Sequence, residues 1–149
     1  AAGADEFKYV SATVAESGGG FSQPVLSADG RSLFYVLVIA TNPPVFYEST
    51  WDASTKSWNL GNPLPNSDFA ITSASQLRRP TGASSDRLTL FFYDEVVGHE
   101  RAAWRVTATS PFTFFLDLPS VPEAAPNDDC NILYFEGMDS AGQGLFTAQ

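Results

Sequence analysis

The chain has 149 residues, 44% of them hydrophobic and only 17% charged, with 12 Phe, 5 Tyr and 3 Trp. That composition supports one globular domain with a real core and excludes a disordered chain. The formal net charge of −9 repels phosphate backbones and anionic headgroups, which argues against nucleic-acid and membrane-surface binding.

The chain opens on "AAGADEF", which has neither the basic nor the apolar segment of a signal peptide. The stretch "EFKYVSATV" at 6–14 alternates in part and reads as a strand, and "ESGGG" at 16–20 reads as a flexible joint. Next, "PVLSADGRSLFYV" at 24–36 reads as a strand, a Ser-x-Asp-Gly turn and a second, more apolar strand. A third strand, "VFYESTW" at 45–51, and a fourth, "SWNLGNPL" at 57–64, follow. The succession then returns as "TGASSDRLTLFFYD" at 81–94, "RAAWRVT" at 101–107 and "FTFFLDL" at 112–118. It returns once more as "APNDDCNILYFEG" at 125–137 and "GLFTA" at 144–148. No apolar run approaches the ~20 residues of a membrane-spanning helix, so no membrane insertion is expected.

Aligned on the turn, the copies carry Ser27, Asp29, Leu33 and Phe34; Ser84, Asp86, Leu90 and Phe91; and Asn127, Asp129, Leu133 and Tyr134. Four short antiparallel strands per unit, at a period near 40–50 residues, describe an all-β propeller blade. Ser27 and Asp29 are placed to bond nearby backbone N–H groups, and Gly30 is free to take positive φ. Arg87 and Cys130 stand where Gly30 does, so the second and third turns are expected to differ from the first. Because the Ser and Asp pairs repeat, they read as turn structure and not as a nucleophile with its acid.

"SADGRSLFYV" resembles the Ser-x-Asp-Gly-x-x-Leu-x-Phe core of the TolB-type (WD40-like) β-propeller repeats. The stretch from "SWNLGNPLPNSDF" to "RRPTGASSDRLTLFFYD" resembles the linkage of their periplasmic and peptidoglycan-associated branch. The second copy lacks the turn Gly, and the third lacks both it and the Ser. The resemblance implies a periplasmic or secreted setting and contact with outer-membrane lipoprotein or peptidoglycan systems.

The repeats fall at about 15–64, 76–118 and 121–149, within a single domain. The third shows three strands, and the strand at 6–14 is placed to complete it as the fourth. Ordinary propellers close with four to eight blades, and an open arc leaves unpaired edges. The expectation is therefore a homodimer closing a six-bladed ring, residues 6–14 of one chain completing the last blade of the other. A fragment of a longer propeller, a closed three-bladed form and a sandwich are the alternatives.

The innermost strand of each blade should be the one before the Asp turn. Its leading residues, Gln23, Arg78 or Arg79, and Glu123, are the candidates for a channel mouth. A glycosidase would need facing acids there, and Glu123 is the sole acid among them. The one histidine, His99, stands beside Glu100 in "VVGHER" and reads as a solvated loop-tip residue. No His/Cys cluster has ligand spacing, "DSAGQG" and "PNDD" do not match a calcium loop, and no Gly-rich loop precedes a helix. No catalytic residue, metal or cofactor is expected. Cys130 reads as a turn or packing residue.

Trp51, Trp58 and Trp104 occupy strand positions, where they pack between blades or stack on sugars. Alternation puts Ala102 and Val106 on the side of Trp104, which argues for its burial. The expected function is a non-enzymatic scaffold presenting loops and a channel mouth to a protein or glycan partner. A carbohydrate-binding propeller is the alternative, and a glycosidase a weaker one.

Overall fold

Short β-branched and aromatic runs between turn residues fold as hairpins, and the computed structural model of the protein is all-β. It describes residues 19–39, 42–59, 61–65, 69, 71–73, 75–119, 121, 124–127, 132–139 and 142–148. The strand expected at 6–14 lies outside the described residues.

Among the described residues the strands form three antiparallel sheets, each laid down in chain order, and no sheet closes. The first contains β1 (Gly19–Leu26), β2 (Ser32–Ile39) and β3 (Val45–Asp52), with β4 (Ser57–Trp58) and β5 (Asn62–Pro63) both on the far edge of β3. The second contains β6 (Arg78–Ala83), β7 (Thr89–Asp94), β8 (His99–Trp104) and β9 (Phe114–Leu118). The third contains β10 (Ala124–Pro126), β11 (Leu133–Asp139) and β12 (Gly142–Ala148). Two expectations need correction. Gly19 and Gly20, read as a flexible joint, pair with Ile39 and Val38 in the β1–β2 ladder. The third strand of the second copy runs from His99 to Trp104, beginning two residues and ending three residues earlier than expected.

The repeat extends to irregularities. The β1–β2 register shifts between Ser22 and Val25, and the β6–β7 register between Pro80 and Gly82. The same bulge thus recurs at matching places, and in β1 it accommodates Pro24, which has no N–H to give a ladder.

The turns match more closely than the sequence suggests. Ser27 Oγ accepts from Ser32 N at 2.9 Å and donates to Asp29 Oδ1 at 2.6 Å. Ser84 Oγ does the same with Thr89 N at 2.9 Å and Asp86 Oδ1 at 2.6 Å. Gly30 has φ +68°, and Arg87 takes the same left-handed conformation at +63°. The expected divergence of the second turn is therefore wrong: the bonds of Ser84 and Asp86 hold the conformation, and Arg87 carries its cost of about 1 kcal/mol. In the third copy Asn127 Oδ1 accepts from Ile132 N at 2.9 Å, an amide oxygen replacing the serine hydroxyl. Asp129 and Cys130 lie outside the described residues.

The sheets pack through their first strands, β1 against β6 and β6 against β10. Ala28 N donates to Ala83 O at 3.1 Å, and Ser27 forms a parallel bridge with Ala83. A Cβ on Gly82 would overlap the ring of Pro126, so a residue without one is needed for β10 to lie this close. Alternation then sends successive side chains to opposite neighbours. Leu90, Phe92 and Ala103 join Phe34, Val36 and Phe46 between the first and second sheets, with Phe69, Ile71 and Phe112 from the connecting segments. Phe91 and Ala102 join Val121, Ala124 and Leu133 between the second and third. Each fully buried phenylalanine contributes about 2–3 kcal/mol from area removed from water.

Candidate functional site

The β7–β8 hairpin carries the most elaborated rim among the described residues. Asp94 pairs with His99 in the ladder, which leaves Glu95 to Gly98 as the tip. Asp94 braces that tip from below: its Oδ1 accepts from Val96 N at 3.0 Å, and its carbonyl accepts from Gly98 N at 2.8 Å. Gly98 closes the turn at φ +76°. Val96 and Val97 are held outward, 56% and 51% exposed.

Beneath the tip, alternating charges cross the sheet from β6 to β9. Arg78 Nε donates to Asp94 Oδ2 at 2.7 Å, Arg101 Nη1 donates to the same oxygen at 3.2 Å, and Arg101 Nε donates to Asp117 Oδ1 at 2.6 Å. Asp94 is fully buried. Burial alone would raise its carboxyl pKa; the bond and charge of Arg78, the Val96 N–H and Arg101 outweigh that and hold it below the ordinary aspartate value. Arg79 Nε lies 3.0 Å from Glu95 Oε1, with its guanidinium 5.3 Å from the centre of the Tyr93 ring.

Two further ties join neighbouring sheets. Arg105 Nη2 donates to Glu48 Oε2 at 2.8 Å and its Nε to Arg87 O at 2.9 Å, while its guanidinium lies 4.6 Å from the centre of the Phe112 ring. Arg87 Nη1 is 3.7 Å from Glu48 Oε1. Glu100, also fully buried, accepts from the Thr81 hydroxyl and, at 3.2 Å, from Ala124 N of the third sheet.

Of the mouth candidates, Arg78 is buried in its pair with Asp94, and Arg79 sits half-buried beside the hairpin tip. Gln23 falls in the β1 bulge, its side chain outside the described set, and Glu123 lies outside the described residues. His99 is not at a loop tip: it is the first residue of β8, with its side chain 19% exposed and Nε2 3.9 Å from Asp117 Oδ1. Trp51 and Trp58 meet edge to face at 5.5 Å, with Trp51 37% exposed. Trp104 is 38% exposed, against the expected burial. The alternation that argued for burial fails because β8 ends at Trp104, and Val106 lies beyond it, 72% exposed. The sequence reading passed over Asp94, Arg101 and the Val96–Val97 tip. The available signal was an acid closing the apolar run "LTLFFYD" with an arginine on each neighbouring strand.

Among the described residues, no group of three or more His, Cys, Asp or Glu is placed to hold a metal ion, and no helix is long and apolar enough to cross a membrane. No protein-family model matches the chain, and no curated protein matches it.

Proposed function

We propose that the chain is a three-bladed propeller unit of the TolB-like kind, working as a non-enzymatic scaffold that presents its hairpin loops to a protein partner in the periplasm or outside the cell. The observation that carries this reading is the Val96–Val97 tip. Two exposed aliphatic side chains are costly to hold in water, and here a buried carboxylate fixes the loop that displays them. A preorganised apolar tip loses little conformational freedom on docking, which favours protein binding. The blade reading is supported by three meanders of like register whose first strands lie side by side. In that arrangement two chains complete a six-bladed ring.

A glycan-binding reading is favoured by the exposed Trp51 beside the half-buried Trp58, since an indole face suits a sugar ring. One experiment separates the two. A photo-crosslinking residue is placed at Val97, and the chain is incubated with an envelope extract. A discrete adduct that is lost when Val96 is changed to Asp supports the protein scaffold. No adduct at Val97, with tryptophan fluorescence quenched by oligosaccharides and the quenching abolished by Trp51→Ala, replaces it with the sugar-binding reading.

A further inference from the structure

We infer that the outward face of the third sheet is a docking surface for the first sheet of a second copy of this chain. The inference rests on the ring reading above and names the surface that would close the ring.

The argument follows from residue equivalence across the repeat. Ladder pairing makes Tyr134 the counterpart of Phe91 and Phe34, and Leu145 the counterpart of Glu100 and Phe46. In the first two sheets these positions pack against the next sheet: Phe34, Phe46 and Glu100 are 0% exposed and Phe91 is 6%. In the third sheet, Tyr134 is 40% exposed and Leu145 75%. A face buried twice by the same kind of neighbour is thus left open at the third occurrence, where it carries Tyr134 and Leu145 together with Thr147 and Glu136, the ladder partners of those two residues.

The opposite end of the stack exposes the complementary positions. Ala83 of the second sheet is 4% exposed against Ser27; its counterpart in the first sheet, Leu26, is 47% exposed. Arg105 reaches across to Glu48, and its counterpart Trp51 is 37% exposed. Tyr35, the counterpart of Phe92, is already covered by the backbone around Gly61, so Leu26 and Trp51 are left to make the contact.

Charge agrees with this pairing. Across the first two sheets, Glu48 takes Arg105 and Arg87. On the open face the position of Glu48 is held by Thr147, and on the first sheet the positions of Arg105 and Arg87 are held by Trp51 and Gly30. The acid and its two arginines are absent together, so a second copy docking in the same geometry leaves no member of that set without its partner. A second copy is therefore the occupant that matches the repeat equivalence and the joint absence of the Glu48, Arg105 and Arg87 charges, in a head-to-tail contact that closes after two chains.

The test uses the full chain with Cys130→Ser. Gly82 lies against Pro126 at the second interface, and the corresponding pair at the inferred one is Ala125 and Leu26 of the other copy. Both are exposed. With Leu26→Cys and Ala125→Cys together, mild oxidation is expected to give a covalent dimer that neither single change gives. Tyr134→Asp with Leu145→Asp is expected to keep the β circular-dichroism signal and weaken dimerisation by roughly two orders of magnitude, as a carboxylate forced into a packed contact does. A ladder of covalent trimers and higher species supports the contact and overturns the closed ring. A dimer by light scattering with no disulfide, unaffected by the two aspartates, overturns the contact and the six-bladed closure together and leaves the scaffold reading standing. A monomer at all concentrations overturns both.

Discussion

Arg105 and Glu48 join the first two sheets: Nη2 of one lies 2.8 Å from Oε2 of the other, and both residues are less than a tenth exposed. The pair sits at the edge of a phenylalanine core, with Phe112 under the guanidinium. Removing the carboxylate leaves the buried Arg105 guanidinium without its carboxylate in that setting. Glu48→Ala is expected to cost about 3–5 kcal/mol by urea unfolding, and Glu48→Leu with Arg105→Met to recover most of it. A loss below about 1 kcal/mol for Glu48→Ala would show that the tie is not structural.

Asp94 contributes to the acid limb of the stability curve, alongside Asp29, Asp52 and Asp86, whose carboxyls are also lowered. Its carboxyl is lowered in the folded state because Arg78, Val96 N–H and Arg101 outweigh burial. A lowered folded pKa means that the contribution is complete above the unfolded value of about 3.9 and is lost as pH falls through the lower folded value. Thermal melts from about pH 7 downward should therefore stay level to about pH 4 and then drop. In Asp94→Asn the melting temperature should be lower at neutral pH and the drop below pH 4 shallower. An unchanged acid slope in the variant would contradict the assignment.

The turns give a matched pair of substitutions. Ser27→Ala and Ser84→Ala each remove the acceptor for a strand N–H and the donor to an aspartate, and each should cost about 1–3 kcal/mol. Arg87→Gly relieves a left-handed conformation and gives up a 3.7 Å contact with Glu48 and a long 3.4 Å hydrogen bond to Ser32 Oγ, so it should be nearly neutral. Chemical denaturation reads all three. A loss above about 2 kcal/mol for Arg87→Gly would mean that its side chain, not the turn bonds, holds the loop.

Gly82→Ala tests the approach of the third sheet. The added methyl would overlap the Pro126 ring, so β10 must move away. The expected cost is about 1–3 kcal/mol, with amide exchange quickened in β10 and β11 and little changed in β2 and β3. Equal quickening in all sheets would place the strain elsewhere.

Much of this was legible because the repeat is carried by residues with fixed mechanical tasks. Ser27 and Asp29 against Ser84 and Asp86 located two turns, and the alternation after each located the second strands. What stayed hidden depended on partners distant in sequence. Nothing local tells that Glu48 meets Arg105, 57 residues away, or that Arg87 would accept a glycine conformation. Trp104 was misjudged because alternation was carried past Arg105, where the strand had already ended. The Val96–Val97 tip read as an ordinary turn, since only the structure brings the Asp94 carboxylate beneath it.

The solution mass of the intact chain, by light scattering over a range of concentrations, tests the central claim most directly. Two chains closing one ring predict twice the chain mass, and a version lacking residues 1–14 that no longer holds it. A compact particle of single-chain mass at every concentration would contradict the ring and the docking face together.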